Sequence, residues 1–351
     1  MESTWKQSVQ IAFTYIGTVV GAGFASGREI VEFFVQYGIQ GLIGILLASL
    51  LFVWAGVRVM ILAFRLQANS YQELNNYLFG RTVGSLFNLI LLAVLLGTTS
   101  VMLAATGALF AGSFHLPAQA GIWFSMLWIY LITNRGLAAI HSVNSLFVPT
   151  LIGFTLLVFC YSAPWNAEPA EHVLVETSKP WIWFSSPLAY VALNVSLTQA
   201  VLVPIGRESR SERPLIVGGM LGGLGIGLLL LLAYWSMSVH MPQIVTMEMP
   251  MIYMLTGLGQ TVALLFALLV FAEIFSTLVA NVFGLVQQLK QWVSLPPALL
   301  ILAILAACYL ISFIGFTPLL SLLYPLFGQL VFLFLLMLAY RQLREAAIRK
   351  R

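Results

Sequence analysis

Apolar runs of about 17 to 25 residues recur from one end of this chain to the other, each long enough to cross a hydrocarbon core at ~1.5 Å per residue. This supply of spanning segments restricts the fold more than any motif does. Backbone in lipid must satisfy its own N–H and C=O groups, so such a chain folds as a bundle of helices. Composition points the same way: 60% of the 351 residues are hydrophobic, 8% are charged, and mean hydropathy is +0.97. The expectation is an all-α integral membrane protein with no room for a separate soluble domain.

Spans are predicted at 8–37 (interrupted), 40–64, 82–112, 118–133, 143–161, 185–206, 214–238, 259–289, 297–314 and 319–340. Lys6 precedes the first apolar stretch without a small-residue cleavage site after it, so the first helix is expected to stay in the protein. With the N-terminus inside, every Lys and Arg except Lys179 (outside) and Arg28 (intramembrane) falls on or near the cytoplasmic side. That distribution predicts a plasma-membrane protein with both termini cytoplasmic. Residues 164–184 become the largest external loop, carrying Glu168, Glu171 and Glu176, with Trp165, Trp181 and Trp183 suited to an interfacial belt. Cys160 and Cys308 fall in apolar segments and read as buried free thiols.

The two halves, 1–163 and 185–351, follow one hydropathy schedule at an offset of roughly 175 to 180 residues. Each has an interrupted or polar helix, a Gly-rich helix, a short amphipathic segment, a long helix and two shorter ones, the second half ending in a basic tail. The first amphipathic segment opens on a capping box, Ser70-Tyr71-Gln72-Glu73, and lies inside. The second starts at Pro250, presents Met251, Met254 and Leu255, and lies outside. Five spans per half force the second half to enter from the opposite side. The predicted architecture is therefore about ten helices in a five-plus-five inverted repeat, with helices one and six broken.

The first span reads Thr14-Tyr15-Ile16-Gly17-Thr18-Val19-Val20-Gly21-Ala22-Gly23-Phe24-Ala25-Ser26-Gly27-Arg28-Glu29, and Gly21, Gly23 and Gly27 are poor helix material. A break there must line a protein cavity, because free backbone groups facing lipid would each cost several kcal/mol, on the order of a lost hydrogen bond or more. The amides after the break and the carbonyls before it suit an anionic group and a cation respectively. Close helix packing is the competing use of these glycines, since Gly17-x-x-x-Gly21 is a small-xxx-small pattern. Packing is the stronger explanation for Gly218, Gly219, Gly222, Gly223 and Gly227 in the seventh span, and no Gly-Lys-Ser/Thr follows any glycine run to make a phosphate loop.

These residues carry a resemblance. The first span resembles that of the amino acid-polyamine-organocation superfamily, whose LeuT-type fold breaks its first helix at an element like Gly21-Ala22-Gly23. More narrowly, Tyr15 to Gly27 looks like the opening of the YkvI-type bacterial membrane proteins. Glu29 matches that group's pattern and Arg28 departs from it. Arg28, Glu29 and Glu32 lie just past the break and form a candidate gate, with an outer vestibule ion pair as the plainer alternative.

At the expected offset the sixth span offers Asn194-Val195-Ser196-Leu197-Thr198-Gln199, with Tyr190, Asn194 and Thr198 on one face. The solute-binding candidates are Thr18, Gly21, Ala22, Gly23, Thr98, Asn194, Thr198 and Gln199; hydrogen bonding between helices is the alternative for the polar ones. The eighth span places Glu273 near its centre, followed on the same face by Ser276, Thr277 and Asn281. In sodium-coupled relatives of the resembled fold, a Ser/Thr pair on the eighth helix and carbonyls of the first hold the ion. The resemblance thus implies Ser276 and Thr277 with the carbonyls of Gly17 and Val20, and Glu273 one turn away. Glu273 also suits proton carriage, since burial favours the neutral acid and a bound cation the carboxylate.

The function expected from this pattern is secondary active transport of a small solute by alternating access, coupled to sodium or protons. An amino acid or a related zwitterion or carboxylate fits best. A solute receptor without flux is the alternative. Enzymatic activity is not expected: the chain contains no aspartate, and His115, His141, His172 and His240 lie apart. Sodium is the one ion implied, no cofactor or nucleic-acid partner is, and lipid is the surrounding medium.

Overall fold

The computed structural model describes residues 2–135, 141–162, 181–290 and 292–349. The described residues are helical throughout their regular structure and include no strand. The first span comes in three pieces, α1 (Glu2–Val19), α2 (Ala22–Ser26) and α3 (Arg28–Phe33), and a 3-10 turn at Val35–Tyr37 follows. Then come α4 (Ile39–Leu66), α5 (Tyr71–Phe79), α6 (Arg81–Ser113), α7 (Ala118–Arg135) and α8 (His141–Ser162). The rest is α9 (Ile182–Glu208), α10 (Glu212–Ser238), a 3-10 turn at Gln243–Thr246, α11 (Pro250–Thr256), α12 (Gln260–Leu289), α13 (Pro297–Ser312) and α14 (Phe316–Arg349). Six helices, α4, α6, α9, α10, α12 and α14, are long and apolar enough to cross a membrane, and α7, α8 and α13 contain shorter apolar stretches. Of the predicted 164–184 loop, residues 164–180, with Trp165, the three glutamates and Lys179, lie outside the described residues, as do His172 and the side chain of His141.

The glycine ladder of α10 is a packing device with two faces. A Cβ on Gly218 or Gly222 would overlap Ile11 or Tyr15 of α1, and one on Gly219, Gly223 or Gly227 would overlap Val57, Val53 or Ser49 of α4. Bare backbone here lets α10 lie against α1 and α4 at once, gaining the dispersion contacts that drive helix association in lipid. Tyr15 is fully buried in the same seam, and its hydroxyl donates to the Phe52 carbonyl at 2.9 Å.

Side-chain contacts sort the helix ends into two groups. At one end, Arg65 of α4 pairs with Glu212 of α10 at 2.6 Å, Arg58 pairs with Glu345 of α14 at 2.6 Å, and Arg341 donates to the last carbonyls of α5. At the other end, Gly27 lies against Met237 and Met251, Gly257 against Tyr161, and Tyr309 donates to Gln119 at 3.1 Å. Helix α5 therefore sits at the end that holds the C-terminal helix tail, and α11 at the opposite end. In the capping box, Ser70 accepts from the Glu73 amide at 3.3 Å, while the Glu73 carboxylate accepts from the backbone N–H of Asn69 at 2.8 Å, one residue before the expected place.

Two expectations need correction. The sixth span is not broken: α9 is one continuous helix from Ile182 to Glu208. Its polar residues bond back into it, Asn194 to the Tyr190 carbonyl at 2.9 Å and Thr198 to the Asn194 carbonyl at 2.7 Å, and no glycine interrupts it before Gly206. Self-satisfied amide and hydroxyl groups give the backbone no reason to unwind. Cys308 is buried as expected, but Cys160 is exposed, because it occupies the outward face of α8.

Candidate functional site

Helix α1 closes with the Val20 amide donating to Ile16 at 2.7 Å, and the next backbone bond runs from Ala25 to Gly21 at 3.0 Å. Among the described backbone bonds, none reaches the carbonyls of Gly17, Thr18, Val19 or Val20. Gly21 turns the chain in an extended conformation, φ −103° and ψ −155°, and Gly27 ends α2 in the left-handed region at φ 83°. The glycines of the break have different surroundings. A Cβ on Gly17 would overlap Val148 of α8, which is close packing, and one on Gly23 would overlap the Glu29 carboxyl. At Gly21 a Cβ would meet only the Thr277 Oγ1, at 3.9 Å. The break thus meets Thr277 of α12 at ordinary contact distance and leaves room there for a methyl group.

On α12 the hydroxyls of Ser276 and Thr277 both donate to the Glu273 carbonyl, at 3.1 and 2.9 Å. Three oxygens are thereby gathered on one turn of α12, the Thr277 hydroxyl being the one next to the interrupted helix. The Glu273 side chain is buried, at 5% exposure. Hard oxygen donors of this kind fit a hard cation rather than a soft metal, and no group of three His, Cys, Asp or Glu able to hold a metal occurs among the described residues.

The remaining sequence candidates surround this point at varying distances. Thr18 is half-buried and donates to the Thr14 carbonyl at 2.7 Å; Ala22 is buried behind the break. Thr98 is buried and donates to Leu95 at 3.1 Å. Leu95, which accepts that bond, packs on Gly284 of α12, so this stretch of α6 lies against α12. On α9, Asn194, Thr198 and Gln199 turn their bonds inward on their own helix, and the Gln199 Oε1 and Ser196 Oγ are buried without a partner. Gly21 and Thr277 are therefore the pair that the fold brings together directly.

The charged cluster past the break divides. The buried Arg28 guanidinium donates to the carbonyls of Val245 and, at 3.4 Å, Met247, tying α3 to the turn before α11. It also pairs with Glu32 at 3.5 Å, and Glu32 accepts from Ser321 of α14 at 2.6 Å. Arg28 and Glu32 thus strap three segments together across one end of the bundle. Glu29 is not part of this strap, as the gate expectation had it. One residue later on α3, it points to the opposite side, inward to Gly23 and to the phenol of Tyr190. Tyr190 is itself enclosed by Phe33, Phe34 and Phe52.

Sequence reasoning missed Ser321 and Tyr324, two neighbours of this acidic pair on α14, along with the Val245 and Met247 carbonyls. An uncharged Ser and Tyr in an apolar helix carry no local signal of a partner nearly 300 positions away.

The chain is 38% identical over 339 residues to the Bacillus subtilis protein described as the uncharacterized membrane protein YkvI, covering 95% of this chain and 96% of the relative. A second Bacillus subtilis protein, YyaD, is 23% identical over 339 residues, covering 96% of this chain and 97% of the relative. Among solved structures, a mutant manganese transporter of Eremococcus coleocola superposes with a TM-score of 0.60 at 16% identity, covering 94% of this chain and 77% of that one. At that identity the likeness is one of fold. No protein-family profile matches the chain.

Proposed function

The chain belongs to the YkvI family of bacterial membrane proteins, and from that premise we propose that it is a secondary transporter of a small solute, working by alternating access around the break in its first helix. The observation that carries the proposal is the break at Gly21: freed backbone carbonyls, room for a methyl group that the glycine leaves unfilled, and the Thr277 hydroxyl next to it. A break that merely allowed close packing would be filled, as Gly17 is by Val148. The fold shared with a manganese transporter supports a transport role without naming the cargo.

The architecture we infer is the five-plus-five inverted repeat of the LeuT-type fold, in the amino acid-polyamine-organocation superfamily. Six long helices, three shorter apolar ones and the interrupted first span supply ten passages. The element starts support the repeat: Tyr71, Arg81 and Ala118 open α5, α6 and α7, and Pro250, Gln260 and Pro297 open α11, α12 and α13 at one constant offset. Inversion is supported by α5 and α11 lying at opposite ends. The charge distribution supports a cytoplasmic position for the end that holds α5 and the C-terminal helix tail.

In this scheme the amides following the break receive the carboxylate of an amino acid or related zwitterion. Carbonyls of Gly17 and Val20, the Glu273 carbonyl and the hydroxyls of Ser276 and Thr277 would hold a coupling sodium ion. Arg28 and Glu32 form the outer latch. Thermal-shift screening of purified protein against amino acids and small carboxylates, with sodium or choline as the cation, tests the site, because a ligand that binds the folded state stabilises it by mass action. Radiotracer uptake of each hit into proteoliposomes then separates transport from a receptor role. Binding with no flux under either a sodium or a proton gradient would reject the transporter.

A further inference from the structure

We propose that Glu29 carries an exchangeable proton at the core of the bundle, held between Gly23 and Tyr190, and that this proton governs access of an anionic solute group to the broken helix. Glu29 is 7% exposed, and its carboxyl occupies the space that a side chain on Gly23 would fill. The chain reverses at Gly27, φ 83°, which is what lets a residue of α3 fold its side chain back over α2.

Among the described residues, no basic group is engaged with this carboxyl. Its own helix contributes Arg28 and Glu32, both engaged away from it with the 243–247 segment and Ser321. From α9 it faces Tyr190, and the buried Tyr324 of α14 lies near it. Tyr234 of α10 is committed to the Gly38 carbonyl at 2.6 Å, and Ser186 of α9 to the Phe33 carbonyl at 2.8 Å. Helix α2 offers no titratable side chain. An isolated carboxylate in such a setting is costly, and neutralising it with a proton is the cheapest remedy.

The Tyr190 hydroxyl lies beside the carboxyl, fully buried, yet has no partner of good hydrogen-bond geometry. Buried polar groups are rarely left so, and a Tyr190 hydroxyl loosely held beside Glu29 fits a contact remade in another state of the protein. Protonated, Glu29 leaves the amides of the break available to a solute carboxylate. Ionised, it sets a like charge against that carboxylate at Gly23. Solute and proton would then bind together, giving proton symport through α3.

The coupling role rests on the transporter proposal, but the proton itself is testable without any solute. Infrared spectra of the full-length protein in lipid at neutral pH should contain the carbonyl stretch of a protonated carboxylic acid that shifts in D2O. Glu29→Gln should remove one component of this band, and that component should persist in Glu273→Gln whatever the buried Glu273 itself contributes. Tyr190→Phe, which keeps the ring packing if the Gln variant fails to fold, should move the band without removing it. An undiminished band in Glu29→Gln, its absence from the unaltered protein, indifference to Tyr190→Phe, or a failure to shift in D2O would each overturn the proposal. Absence of flux with the band behaving as stated would count against transport alone.

Discussion

Gly21 and Thr277 face each other at contact distance, the threonine Oγ1 standing 3.9 Å from where a side chain on the glycine would begin. They come from helices far apart in the sequence, one interrupted and one continuous. Because the Thr277 hydroxyl already donates to the Glu273 carbonyl at 2.9 Å, its lone pairs remain directed elsewhere. A cation between the two helices would bind exactly those groups that the fold leaves unused on each side, and would thereby lock α2 to α12.

Thr277→Val keeps the shape and removes the oxygen. The lost bond to Glu273 should cost about 1 kcal/mol of stability. The larger expected effect is on sodium: replacing choline by sodium should raise the unfolding temperature of the unaltered protein and leave that of Thr277→Val unmoved. An equal sodium response in both would remove Thr277 from the ion site.

Two glycines of the break should respond in opposite ways to alanine. Gly21→Ala finds room and should change thermal stability little. Gly27→Ala places a side chain at φ 83° and against Met237 and Met251, and the left-handed conformation alone costs about 1–2 kcal/mol. Unfolding midpoints of the two variants in one detergent decide the matter, and the reverse order would mean that the break is built differently.

The break in the first span was legible because glycine acts locally: Gly21, Gly23 and Gly27 weaken a helix whatever lies around them. Element limits were legible for a similar reason, Pro250 and Pro297 starting helices and Ser70 capping one. Partnership across the bundle was not. Arg28, Glu29 and Glu32 read as one cluster because they are adjacent in sequence, but Glu29 departs inward, and only the fold reveals the space over Gly23 that receives it. Polarity in α9 misled for the converse reason, since Asn194 and Thr198 can satisfy themselves within a helix and need not break it.

Arg28 should act as the latch at the α11 end. Removing it with Arg28→Ala frees two loop carbonyls and Glu32, an expected loss of about 1–3 kcal/mol in the closed arrangement. A single cysteine at the buried Ala25, introduced after replacement of Cys160 and Cys308, reports opening through its reaction with a membrane-impermeant thiol reagent. Arg28→Ala should speed labelling about tenfold, as a shift of ~1.4 kcal/mol in the opening equilibrium would. Acceleration is expected only when the reagent is outside the cell. An unchanged rate would make Arg28 a fixed structural strut.

At the other end the corresponding contact is Arg58 with Glu345, 2.6 Å apart, the arginine side chain 11% exposed. Arg65 with Glu212 lies nearby at the same separation, each side chain 34% exposed. Solvent and salt screen the second pair more, so its coupling energy should be at most about 1 kcal/mol and vanish at high ionic strength. Arg58 with Glu345 should retain a larger share in salt, and should restrain α14 against α4 whenever this end is shut. Double-mutant cycles with alanine at Arg58 and glutamine at Glu345, and likewise at Arg65 and Glu212, measured by thermal unfolding at low and high salt, test the ranking. A coupling between Arg58 and Glu345 that is as salt-sensitive as the exposed pair would reduce it to surface charge balance, with no part in closing the bundle.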